Sequence, residues 1–338
     1  MRENGNGLKI LACDSGRLFA LSMIEHLNLL RGKKDKSDFC QSQEITFANG
    51  EIKTVIDESI RGSDVYVVQL LDDPLKSNRS INDNLIALAG AINAAYQSDA
   101  HRVTAVIPQF PYSRQDKKKG REPITAKIAG RLLEISGAKH AITLDIHSEA
   151  IEGFFERLKL QNLHMGRILI EYVKKNIATK HLMVVAPDVN SAKRGLFFSK
   201  NLSLELAIID KVRDYSQTST ISNMRLVGSV EGKDVLICDD MLATGGTVLS
   251  ACQLLKDQGA KDIFIAVAFP FFSGNAVENF DRAYEKGWFN KIIGTNAVFW
   301  DGNLAKELKW YEELDVTNLF AQVVYNLHLG ESVSTLLI

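Results

Sequence analysis

The chain has 338 residues, enough for two domains at about 100–200 residues each. Hydrophobic residues make up 46% and charged residues 24%, a balance that excludes disordered, collagenous and membrane-dominated classes. With 40 Lys and Arg against 41 Asp and Glu, the net charge is −1, which argues against a general nucleic-acid binder because polyanion binding needs a surplus of cations.

Short apolar runs rich in β-branched residues alternate with longer amphipathic segments. Leu8–Ala12 and Val65–Leu71 read as strands, and a helix is expected from about Ile81 to Gln97. A strand over Arg102–Ile107, a helix over Ile124–Ser136 ending at Gly137, and a strand over His140–Asp145 follow. The rhythm restarts with a strand at Leu182–Ala186 and a helix around Ala192–Asn201. Ala207–Ile209, Val235–Cys238 and Ile263–Ala268 are further strands, and a helix over Gly246–Gln258 ends at Gly259, as a glycine C-cap predicts. Near-continuous apolar strands separated by helices imply parallel sheets covered on both faces. Two such units are expected, 1–155 and 156–338. The basic stretch Arg31–Lys36 reads as a solvated loop.

Cys13, Cys40, Cys238 and Cys252 show no Cys-x-x-Cys spacing, which argues against a zinc cluster and for free thiols in a reducing compartment. The segment Met1 to Gly7 is polar and lacks an apolar signal core. No apolar run approaches the ~18–20 residues of a membrane span. The expectation is a cytoplasmic protein with no membrane partner.

The strongest chemical signal runs from Val235 to Thr247. An apolar strand leads into Asp239 and Asp240, then into the turn Thr244-Gly245-Gly246-Thr247, then into a helix. Glycines let backbone approach a ligand closely, and the turn's N–H groups with the helix N-terminus attract an anion. The two acids would repel a phosphate, so sugar hydroxyls or a hydrated Mg²⁺ are what they suit. Two adjacent acids at a strand's carboxyl end are costly to bury unless used, and carboxyl ends of strands are where open α/β sheets bind ligands. A second signal is Pro111-Tyr112-Ser113-Arg114-Gln115-Asp116-Lys117-Lys118 with Arg121-Glu122-Pro123 after it. Cations this dense after a strand suit a polyphosphate, with arginine able to bind oxygens in pairs and stack on a base. Read alone, the run is by default a solvated loop, and Phe47-Ala48-Asn49-Gly50-Glu51 alone is a turn.

Taken together and in order, these segments resemble the ribose-phosphate diphosphokinase (phosphoribosyl-diphosphate synthetase) family. Leu144-Asp145-Ile146-His147, Ala186-Pro187-Asp188, Ile208-Ile209-Asp210-Lys211-Val212-Arg213 and Gly330-Glu331-Ser332-Val333-Ser334 extend the match from about Leu8 to Leu337. The resemblance implies an α/β fold of two phosphoribosyltransferase type I-like domains, each a mainly parallel sheet flanked by helices, with the C-terminal tail returning to the first. It implies conversion of ATP and ribose 5-phosphate to 5-phosphoribosyl 1-diphosphate and AMP, with Mg²⁺. By resemblance, Phe47, Asn49, Glu51, Arg114, Gln115 and Asp116 bind ATP, the first three from a neighbouring subunit of a homo-oligomer, dimers assembling into hexamers. His147 and Asp188 support the metal, and Lys211 and Arg213 stabilise the transferring group. Asp239, Asp240, Ala243, Thr244, Gly245, Gly246 and Thr247 hold ribose 5-phosphate. The chain departs from the family pattern at Ala243, where many synthetases carry an acid, at the shortened loop around Gly120, at Ser148-Glu149-Ala150, and at Asn190-Ser191. Two rival expectations are a salvage phosphoribosyltransferase and a non-catalytic regulatory relative of the synthetases.

Overall fold

A computed structural model describes residues 7–32, 38–73, 79–213, 221–298 and 303–337, with backbone alone at 211–213, 221–223 and 303. The chain divides into two compact units: 1–164 with 297–301 and 315–338, and 165–296 with 302–314.

Unit 1 begins with β1 (Leu8–Ala12), α1 (Arg17–Arg31), β2 (Ser42–Thr46), β3 (Ile52–Ile56) and β4 (Asp64–Val68). It continues with α2 (Ile81–Gln97), β5 (Arg102–Val106), α3 (Thr125–Ser136), β6 (His140–Leu144) and β7 (Lys159–Leu163). The sheet order is β1-β4-β5-β6-β7, parallel throughout, while β2 and β3 form a separate antiparallel hairpin. Every residue of β4 is buried, as a strand covered on both faces requires. Val65 and Val67 face Leu85, Leu88 and Ile92 of α2 in one core. Tyr66 alternates to the opposite face. The strand β7 extends the first unit to His164, beyond the expected 155, because its pairing partner is β6.

Unit 2 contains α4 (Gly166–Asn176), β8 (Leu182–Ala186), α5 (Ala192–Leu202), β9 (Leu206–Arg213), β10 (Ile221–Val227) and β11 (Asp234–Leu242). After these come α6 (Gly246–Asp257), β12 (Ile263–Pro270), α7 (Ala276–Glu285), β13 (Lys291–Thr295), α8 (Asn303–Glu307) and β14 (Tyr311–Leu314). The sheet order is β10-β9-β8-β11-β12-β13-β14, with β10 antiparallel to β9. From β8 the chain adds β9 on one side and later β11 on the other. The order therefore reverses between β8 and β11, and a crevice outside the strand ends is expected at such a point. Phe272, Phe280, Phe289 and Trp310 pack edge-on or tilted at centroid distances of 5.7–5.9 Å in one aromatic cluster.

The final helix, α9 (Thr317–Leu329), belongs to unit 1. Phe320 meets Phe19 of α1 edge-on at 5.3 Å, and the Tyr66 hydroxyl donates to the Val324 carbonyl at 3.2 Å. Buried Phe320, Val323 and Val324 contribute about 1.5–3 kcal/mol each to holding it. At its end, His328 Nδ1 lies 2.9 Å from Asp64 Oδ2, which also takes a 2.7 Å bond from Arg102.

The structure differs from the expected elements in informative places. Arg31 is not in a solvated loop: it ends α1, and its guanidinium is largely buried against Asp38. The strand expected at Ala207–Ile209 runs on to Arg213 because β10 pairs along it. All four cysteines are buried and unbonded to one another. Among the described residues no helix is long and apolar enough to cross a membrane.

Candidate active site

In unit 2, β11 carries Asp239 and Asp240 to its carboxyl end, beside the reversal point. The Asp240 backbone N–H donates to Asp239 Oδ1 at 2.9 Å. Arg194 of α5 places a terminal nitrogen 3.7 Å from an oxygen of each acid. Burial, reinforced by the neighbouring Asp240, pushes the Asp239 carboxyl up to about 7, with Arg194 pulling the other way. Both carboxylates lie close together at the strand end, with side chains 18% and 10% exposed. Paired acids in such a place suit a cation or hydroxyl donors.

The next residues turn into α6. Gly245 is the N-cap with φ +78°, and an added Cβ there would lie 2.5 Å from the Phe280 ring. Glycine is required at this point by both conformation and space. Gly246 opens the helix with nothing within 4 Å of a virtual Cβ. Thr244, Gly246 and Thr247 are exposed, and the first helical N–H groups have no intrahelical acceptor. Such a helix start is suited to receiving an anion. The Ala243 carbonyl accepts the Ser273 N–H at 3.0 Å, fixing the turn from below. At the end of β8, Asp188 Oδ1 accepts both the backbone N–H and the hydroxyl of Ser191, at 2.9 and 2.8 Å.

In unit 1, Phe47, Asn49 and Glu51 form the tip of the β2–β3 hairpin. The Phe47 N–H donates to the Glu51 carbonyl at 2.8 Å, and Asn49 Oδ1 accepts the Glu51 N–H at 3.2 Å. Phe47 remains 48% exposed. With Gly50, Ile52, Asp83 and Ile86 these residues line an open depression of about 500 Å³. Arg114 and Gln115 are exposed and Asp116 half-buried, in a turn held by the Gln115 N–H to the Tyr112 carbonyl at 2.7 Å. The Tyr112 hydroxyl bonds Asn82 of α2. The first turn of α2 thus touches both segments, through Asn82 and Asp83.

His147 follows β6 and is exposed. Nearby, His164 Nδ1 lies 3.0 Å from Asp145 Oδ1, and that bond raises the His164 pKa. Among the described residues, no three His, Cys, Asp or Glu side chains are grouped to enclose a metal. Lys211 and Arg213 close β9 opposite Met224 and Ile221, and their side chains lie outside the described residues.

Two partners were not foreseen from sequence. Arg194 and His164 carry no motif of their own. The Lys193-Arg194 pair just after Pro187-Asp188 is the signal that could have drawn attention to the first.

Comparison with known proteins gives two family matches. Residues 8–137 match the N-terminal domain of ribose phosphate pyrophosphokinase, and 157–305 match the phosphoribosyl transferase domain. The chain is 35% identical to ribose-phosphate pyrophosphokinase A of Dictyostelium discoideum over 98% of both chains. It is 38% identical to ribose-phosphate pyrophosphokinase 2 of Saccharomyces cerevisiae over 86% of this chain and 87% of that one. It is also similar to the crystal structure of phosphoribosylpyrophosphate synthetase from Mycobacterium smegmatis, with a TM-score of 0.82 at 29% identity, covering 96% of this chain and all of that one.

Proposed function

We propose that this chain, which belongs to the ribose-phosphate pyrophosphokinase family, is a catalytic member that moves the β,γ-diphosphoryl group of ATP to C1 of ribose 5-phosphate. The observation that carries this reading is the β11–α6 turn. It joins a buried acid pair suited to ribose hydroxyls to an open helix N-terminus suited to the 5-phosphate, with a glycine at φ +78° between them. A non-catalytic relative would have no need to keep these opposed recognition elements in one turn.

In the reaction, the C1 hydroxyl oxygen attacks the β-phosphorus. The bond from that phosphorus to the oxygen bridging the α-phosphorus breaks, AMP leaves, and the hydroxyl proton is released. Such transfer depends on positioning and charge stabilisation. Asp239 and Asp240 accept hydrogen bonds from ribose hydroxyls and orient the sugar. Thr244, Gly245, Gly246 and Thr247 hold the 5-phosphate, and Ala243 supplies backbone to that turn. Phe47 stacks on the base, Asn49 and Glu51 bond its edge or ribose, and Arg114, Gln115 and Asp116 hold the nucleotide. Lys211 and Arg213 neutralise charge on the moving group. His147 and Asp188 are the residues that would hold Mg²⁺, which when bound offsets charge on the phosphate oxygens.

The chain is read as a cytoplasmic homo-oligomer, dimers assembling into hexamers, with the adenine hairpin donated across a subunit boundary. Activity lost on dilution to monomer would support that sharing, and a fully active monomer would refute it. The function itself is tested by incubating the purified chain with ATP, ribose 5-phosphate and Mg²⁺. AMP formed only when ribose 5-phosphate is present supports diphosphoryl transfer. ADP in its place, or no turnover with phosphate added, refutes it.

A further inference from the structure

In a strand with one face against the protein, apolar residues turn inward and acids outward. Strand β2 does the reverse at its centre. Ile45 is 39% exposed, whereas the Glu44 side chain is only 4% exposed. The inward carboxylate is received by Arg79, whose side chain is itself 12% exposed. One terminal nitrogen of Arg79 pairs with Glu44 Oε1. The other donates to Thr46 Oγ1 at 2.7 Å and lies 3.8 Å from Asp14 Oδ2. The second oxygen of Glu44 accepts the Asp14 backbone N–H at 3.4 Å, just past the end of β1.

The guanidinium therefore ties two residues of β2 to the start of α2 and to the end of β1. Thr46 immediately precedes Phe47. Ser80, the next residue after Arg79, closes the capping box of α2 with Asp83, and Asp83 lines the same depression as Phe47, Asn49 and Glu51. A two-stranded hairpin is marginal by itself, so the orientation of its tip depends on what grips it. A planar fork with several fixed donors is suited to gripping two acceptors at once.

We infer that Arg79 is a positioning residue: through Glu44 and Thr46 it holds the Phe47–Glu51 turn in the conformation that receives the nucleotide. The inference rests on the proposed function for its substrate, and its consequence is confined to the nucleotide side, since the ribose-side turn belongs to the other unit.

The test compares the full chain with Arg79→Ala, Arg79→Lys and the exchange pair Glu44→Arg with Arg79→Glu. Steady-state kinetics, fluorescence titration with trinitrophenyl-ATP, and hydrogen exchange over residues 42–56 are the readouts. Arg79→Ala is expected to raise KM for ATP about tenfold, equivalent to about 1.4 kcal/mol. KM for ribose 5-phosphate and kcat stay unchanged, and hairpin amides exchange faster. Lysine, lacking the fork, recovers little, whereas the exchange pair recovers most of the affinity. Unchanged hairpin exchange in Arg79→Ala overturns the inference. So does an equal rise in both KM values with a lowered melting temperature and no recovery in the exchange pair, the pattern of general destabilisation. If the wild type makes no AMP, the proposed function fails by itself, and binding and exchange still decide the role of Arg79. Weaker analogue binding with faster exchange supports it, and absence of analogue binding by the wild type overturns it.

Discussion

Adjacent glycines in the β11–α6 turn should respond in opposite ways to the same small change. At Gly245 a methyl group meets two obstacles. The backbone sits at φ +78°, and the nearest Phe280 ring atoms would be 2.5 Å away. Phe280 is fully buried, with Phe272, Phe289 and Trp310 around it, so it cannot swing aside. Left-handed strain costs about 1–2 kcal/mol and overpacking about 1–3 kcal/mol. Gly245→Ala should therefore destabilise unit 2 by about 2–5 kcal/mol, lowering the melting temperature by roughly 5–15 °C. Gly246→Ala meets nothing within 4 Å at an ordinary φ. Its stability should change by no more than about 0.5 kcal/mol. The new methyl instead occupies the open approach to the helix N-terminus, so KM for ribose 5-phosphate should rise at least tenfold, or by about 1.4 kcal/mol. Thermal unfolding and steady-state kinetics on both variants separate the two costs. A wild-type melting temperature for Gly245→Ala, or equal destabilisation by both substitutions, would refute this reasoning.

Other expectations concern charge. Because the folded chain raises the Asp239 pKa to about 7, it binds more protons than the unfolded chain from about pH 4 to about pH 7. That group's contribution makes stability fall as pH rises through this window and level off above it. Asp239→Asn should flatten the slope between urea titrations at about pH 5 and about pH 7.5; an unaltered slope would exclude the buried acid as its source. Since Arg194 opposes the shift, Arg194→Ala should move the rising limb of kcat/KM for ribose 5-phosphate to higher pH, and an unmoved limb would show that the guanidinium does not control the pair. Lys211→Ala should lower kcat at least ~100-fold, about 2.7–4 kcal/mol in the barrier, while circular dichroism stays native; near-normal turnover would remove Lys211 from the mechanism. Asp64→Ala leaves Arg102 facing His328 without the carboxylate between them. Because Arg102 is one-quarter exposed, the cost should be about 2–3 kcal/mol rather than that of a fully buried pair. A denaturant midpoint equal to wild type would show that the contact does not hold α9.

The helix Ile81–Gln97 and the strand Leu8–Ala12 form at the expected residues. Their signals are local: helical spacing in the one and an unbroken apolar run in the other. The acid pair and the glycine turn were equally legible, because the strand before them and the glycine after them are read within a dozen residues. Strand β11 nonetheless runs to Leu242, past the expected Cys238. Its pairing with β12 continues past Asp239 to Leu242, and strand composition does not reveal how far a neighbour extends.

What lay beyond the sequence required contacts between distant segments. The pentapeptide at Phe47 reads as a turn, and only strand pairing makes it a hairpin tip. Glu44 breaks the polarity pattern of its strand, but Arg79, 35 positions away, is what explains the exception. Arg194 reaches the acid pair because β8, which α5 follows directly in sequence, has the distant strand β11 as its sheet neighbour. The return of α9 to unit 1, expected from the family resemblance alone, depends on Phe320, Val324 and His328 finding Phe19, Tyr66 and Asp64. Sequence by itself determined which residues are candidates for the chemistry and where the strongest strands and helices lie, since periodicity and glycine conformation act over a few residues. Tertiary structure alone decided which charges face one another and which turn is held open, since those energies exist only once separate elements pack.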